Sequence, residues 1–221
     1  MLDSQLLGVK DMIEAVGGFL GKTLGTLVGP IWRYLIATFQ RPRIRLTKAP
    51  KNLLEHLTPA VSQDRVRELL GPAHQVIDQY WFYRFADALV QLEFRKGGGA
   101  KSVALGLVGK RKEHRFPVPN FKKSLGQLSI ADVKCEGSML RYRDSLRHRE
   151  ILVEVRLGPT GAWSYWTYGA MMAFGSQALH ESLFEWDTKS NCLITDPSLV
   201  LVNWIAISDG GDEVYFDWSM A

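Results

Sequence analysis

Three carboxylates crowd one short turn, Asp209-Gly210-Gly211-Asp212-Glu213. Carboxylate oxygens around a flexible loop are the ligands that Ca²⁺ takes, but the EF-hand spacing is missing and a hairpin turn with solvated acids is the simpler reading. Cys135 and His148 have the residue types of a thiolate–imidazole pair, yet nothing in the sequence places them together. His56, His74, His114, His148 and His180 show neither i,i+4 nor His-x-His spacing, so no metal site is expected. Gly97-Gly98-Gly99 lacks the Lys-Ser/Thr partner and the following helix of a phosphate loop and reads as a turn. No constellation has catalytic geometry. The expectation is a non-enzymatic chain with no catalytic residue, metal or cofactor.

Basic residues gather at Lys110, Arg111, Lys112, His114, Arg115, Lys122 and Lys123, and again at Arg141, Arg143, Arg147, His148 and Arg149. Aromatic residues at Tyr142, Trp163 and Trp166 interleave with them, a pattern that nucleic-acid binders share. Solvated loops between strands account for most of it, so nucleic acid is not the expected partner. The charge is uneven along the chain. The net charge is +4, yet from His180 onward there are eight acids and one base, Lys189. That asymmetry suits anionic lipid, nucleic acid or the acidic end of a neighbouring copy.

The segment 17–39 places Gly17, Gly21, Gly25 and Gly29 at every fourth position. On a helix they form one stripe, and each Gly in a water-exposed helix costs about 1 kcal/mol relative to Ala. Such a stripe makes sense where another backbone packs along it, as in small-xxx-small membrane interfaces. Val9, Met12, Ile13, Val16, Phe19, Leu20, Leu24, Leu27 and Ile31 fill the other half of the wheel. Lys22 and Arg33 interrupt the apolar run, so three readings stand: a tilted span, an interfacial helix, and a helix packed on a soluble domain. Arg41, Arg43, Arg45, Lys48 and Lys51 follow without an acid, a membrane-proximal basic flank that the positive-inside rule keeps in the cytoplasm. Two cysteines are too few for a disulfide framework and fit a reducing compartment.

Behind the linker, 50–57 and the Ser62-capped run Gln63 to Leu70 read as helices, the second stopped by Gly71 and Pro72. Strand-like runs at 80–85, 88–95 and 102–108 follow as a meander. A weaker echo starts at Leu125 and Ser129, where Leu57, Ser62 and Val66 have counterparts in Leu125, Ser129 and Val133, and continues with strands at 139–143, 151–157 and 163–168. From Gly175, a short helix at 177–186 and a hairpin joining 199–208 to 213–218 are expected.

Leu70-Gly71-Pro72, Trp81-Phe82-Tyr83 and the run from Val90 to Phe94 resemble the pattern of the small outer-membrane lipoprotein family SmpA/OmlA, also called BamE. The resemblance covers one module and implies a binding scaffold; the lipid-attachment cysteine of that family is missing. The layout also resembles a group of bacterial proteins with an N-terminal membrane segment followed by paired modules of this kind.

The expected fold class is therefore α+β, with a Gly-striped helix over 1–39, a basic linker over 40–51, modules over 52–115 and 116–174, and an acidic extension over 175–221. The expected function is a membrane-associated bacterial protein whose helix self-assembles and whose modules bind a protein partner or signal, with a pore-forming defence or stress effector as one form. Its expected partners are further copies of itself, the lipid bilayer and an unidentified protein. Its expected place is the bacterial inner membrane with the folded body in the cytoplasm, the alternative being cytoplasmic throughout. The rival function is a soluble interaction subunit that docks its Gly-rich helix into a larger complex.

Overall fold

The computed structural model describes residues 46–109, 116–158, 163–174 and 182–220. They belong to a compact unit spanning Leu46–Ala221; the other unit is Met1–Arg45. The glycine stripe and the basic residues Arg41, Arg43 and Arg45 lie outside the described residues, whereas Lys48 and Lys51 lie inside and are exposed. Among the described residues no helix is long and apolar enough to cross a membrane. The longest, Gln63–Leu70, has 8 residues. At 1.5 Å rise per residue it covers about 12 Å of a hydrocarbon layer of about 30 Å. The expected inner-membrane anchor, transmembrane segment and glycine zipper are therefore corrected: no described element supports them, and the cytoplasmic alternative is not contradicted.

The described residues form three short α-helices: α1 (Leu53–His56), α2 (Gln63–Leu70) and α3 (Ile130–Val133). The Ser62 hydroxyl accepts from the Arg65 amide at the start of α2, and Gly71 ends it at φ 80°, where a side chain would be strained. Ser129 and Asp132 close a reciprocal capping box on α3, which is a single turn.

The rest is strand. An eight-stranded antiparallel sheet has the order β1-β2-β3-β4-β10-β7-β6-β5. Its strands are β1 (Gln75–Ile77), β2 (Tyr80–Arg84), β3 (Ala88–Phe94), β4 (Ala100–Leu107), β5 (Met139–Asp144), β6 (His148–Leu157), β7 (Ser164–Ala173) and β10 (Trp204–Ser208). Two short strands, β8 (Trp186–Asp187) and β9 (Cys192–Leu193), form a separate ribbon where the sequence suggested the end of a helix.

The expected α+β class built from two like modules is a second correction: the body is mainly β, one continuous sheet. Both β4 and β7 run antiparallel to β10, so they run parallel to each other. The meanders β2-β3-β4 and β5-β6-β7 therefore start in the same direction but advance toward β10 from opposite sides. Residues of α1, α2 and α3 pack in one core on the same face. The two meanders have opposite hand, and no rotation lays one on the other.

That helix-side face carries most of the apolar mass. Val90, Leu105, Ile205, Tyr168 and Val153 are successive cross-strand partners there, capped by Leu57, Val66, Leu125, Leu128 and Ile130. Each fully buried aliphatic side chain contributes about 1.5–3 kcal/mol. The expected pairing of 199–208 with 213–218 is a third correction. Both edges of β10 are already taken by β4 and β7, so no ladder position is left for 213–218. This segment instead lies as an irregular strap on the opposite face, with Val214 and Phe216 in a second, smaller core.

Candidate functional site

On the strap side the sheet is built from small residues at its centre. Leu89, Gly106, Trp204, Gly169, Leu152 and Arg141 are successive partners across it, and Gln91, Ala104, Ala206, Thr167, Glu154 and Met139 form the next row. Gly106, Gly169, Ala104 and Ala206 leave a depression. Trp204 fills part of it: a Cβ on Gly169 would lie 1.9 Å from the Trp204 indole nitrogen, so only glycine fits there. Phe216 of the strap then stacks on Trp204, centroids 5.4 Å apart and planes 20° from parallel.

One side chain holds the strap backbone. Gln91 is 4% exposed. Its amide nitrogen donates to the Tyr215 carbonyl at 2.5 Å, and its oxygen accepts from the Asp217 amide at 2.8 Å. The buried amide thus performs the work of a strand neighbour for a segment that has none. The strap's acid, Glu213, meets two arginines of β5: Arg141 at 3.2 Å and Arg143. The Arg143 guanidinium also lies over the Tyr215 ring, 4.5 Å from its centroid.

Beneath Arg143 sits Glu150, 2% exposed, bonded to Arg143 at 2.9 Å and left with one oxygen that has no hydrogen-bond partner among the described residues. Burial is the larger influence and lifts the Glu150 carboxyl above its usual range against the pull of Arg143 and His148. Glu213 behaves in the opposite way. Burial works against its charge, but the Arg143 hydrogen bond and the charges of Arg143 and Arg141 outweigh it and hold the carboxyl below its usual range.

Among the described residues the face beside the strap is open. A cavity of about 580 Å³ lies between β5, β7 and the 209–212 turn, and Arg141, Glu154, Arg156, Tyr165, Thr167 and Asp212 line it. That size falls within the usual range for ligand sites, about 300–1,000 Å³. Among the described residues Arg156 meets no carboxylate; its guanidinium lies over Tyr165 at 5.4 Å. Arg141 belongs to both regions, since it lines the cavity and also bonds Glu154 and Glu213. A smaller hollow of about 350 Å³ lies beside Trp81 and Arg95.

The candidate residues from the sequence fall apart in space. Asp209 pairs with Arg95, Asp212 with Lys101 at 3.2 Å, and Glu213 with β5, so each carboxylate of the turn has its own cation. Among the described residues no group of His, Cys, Asp or Glu could hold a metal ion. Cys135 is exposed on the cavity rim, while His148 contacts Ser145, Glu150 and Trp218. Gly98, at φ 91°, turns the β3–β4 hairpin. Of the second basic group, Arg141, Arg143 and Arg149 are each ion-paired to an acid. The residues that build the groove, Gln91, Gly169, Trp204, Arg156 and Tyr165, were missed. Gln91 alone left a trace, as a polar residue among apolar neighbours in the run from Ala88 to Phe94, but its partner is 126 positions away.

No family model, no curated protein and no solved structure matches the chain.

Proposed function

We propose that this chain is a non-enzymatic binding protein that receives an extended protein segment on the strap side of its sheet. The observation that carries the reading is the 580 Å³ cavity framed by strands, with the Arg156 guanidinium on its wall, ion-paired to no carboxylate among the described residues. Strands give such a site a fixed shape, and its charged lining of both signs suits a peptide more than an apolar small molecule. Of the functions weighed from the sequence, the soluble interaction subunit fits this reading, with a protein as its partner.

Selection of random displayed peptides against the full chain tests it. The expected result is a set of enriched peptides whose affinity falls about tenfold with Arg156→Glu, a reversal of charge at an exposed position. Absence of enrichment, or equal binding by the variant, contradicts the reading.

A further inference from the structure

The strap is held in a manner that the rest of the sheet is not. Residues 213–218 make no ladder hydrogen bonds, and their described attachments to the face are made through side chains of the sheet. The order is regular: an acid on Arg141 and Arg143, an apolar residue, a residue whose carbonyl Gln91 binds, an aromatic residue on Trp204, and a residue whose amide Gln91 binds. In the strap these are Glu213, Val214, Tyr215, Phe216 and Asp217. Exposure alternates with that order, since Val214 is 5% and Phe216 is 7% exposed while Tyr215 is 69% exposed. Recognition of an extended peptide by main-chain bonds, with pockets for alternate side chains, has this geometry.

We propose that the strap occupies a recognition groove, and that the partner is an extended segment of another protein with the pattern acid, apolar, any residue, aromatic, which takes the strap's place. This rests on the binding reading above and names its ligand. Charge complementarity selects the class: Arg141 and Arg143, which hold Glu213 of the strap, stand where the partner's acid must lie. The strap is covalently tethered, so it competes at high effective concentration, and the groove admits a partner in proportion to the fraction of time the strap is off. Because Arg141 touches both Glu213 and the cavity, departure of the strap also frees a guanidinium on the cavity wall from one of its partners.

The test uses a fluorescently labelled peptide of sequence EVYFDW, the chain's own residues 213–218, titrated with the full chain and read by anisotropy. Wild type is expected to bind weakly. Glu213→Gln and Phe216→Ala, which loosen the strap in cis, are each expected to bind the same peptide at least about tenfold more tightly. Adding Gln91→Leu to either is expected to abolish the gain. Glu213→Gln changes only a partly exposed side chain, so it reports even if Phe216→Ala fails to fold, which near-UV circular dichroism reveals. No gain in a folded loosened variant, or a gain that survives Gln91→Leu, overturns the proposal. If selected peptides still bind wild type in an Arg156-dependent manner, the broader binding reading stands without it.

Discussion

At the scale of single residues the strap side of the sheet depends on positions with one permitted occupant. Gly169 is the sharpest, because the Trp204 indole stands where a β-carbon would go. Gly169→Ala is expected to cost about 1–3 kcal/mol through overpacking. It is also expected to free the strap, because Phe216 stacks on the displaced indole. A thermal midpoint lowered by several degrees together with a changed Trp near-UV signal checks it; an unchanged midpoint contradicts the packing described. None of this was legible from the sequence. A glycine in a run of aromatic strand residues signals close approach of something, but the residue that approaches lies 35 positions on, at Trp204, in a strand whose neighbours local pattern does not reveal. Ser62 and Gly71 were legible because caps act within one turn, and the structure uses both.

At the scale of elements the strap is held by charge as well as by packing, and its pH dependence follows from two carboxyls with opposite shifts. Glu213 titrates below its usual 4.5 in the folded chain, so its stabilisation is complete above that pH and is lost as the pH falls through the folded value. Glu150 titrates above its usual 4.5; its ionisation costs the folded state as pH rises through that interval, and the cost vanishes below 4.5. Arg141, Arg143 and Glu154 face the same cluster. The thermal midpoints of wild type and Glu213→Gln are therefore expected to differ near pH 7 and to converge as the pH falls below about 4.5. A gap that stays constant down to about pH 3 contradicts the assignment of Glu213 as the strap's charged anchor. The sequence showed strand after strand through their alternation, because that pattern is local. It misassigned 213–218 because pairing is decided elsewhere: the free edges of β10 are consumed by β4 and β7.

At the scale of the whole molecule, two meanders of opposite hand meet on one central strand and leave a sheet with unequal faces. The helix side holds the larger core, and the other side holds a thin strap and an open cavity. The sequence echo joins Leu57, Ser62 and Val66 to Leu125, Ser129 and Val133; both serines cap helices and all four apolar residues are buried. It does not extend to topology, because hand is set by the order in which strands join the sheet and not by any short motif. A face that, among the described residues, is closed by a short irregular segment is also the part expected to open first. Native-state hydrogen exchange on the full chain tests this most directly, by comparing the Asp217 amide, which donates to Gln91, with the Ile205 amide of central β10. The account predicts that Asp217 exchanges through local opening at least about 100-fold faster than Ile205. Equal protection of the two amides, with the strap opening only when the whole sheet unfolds, would contradict it.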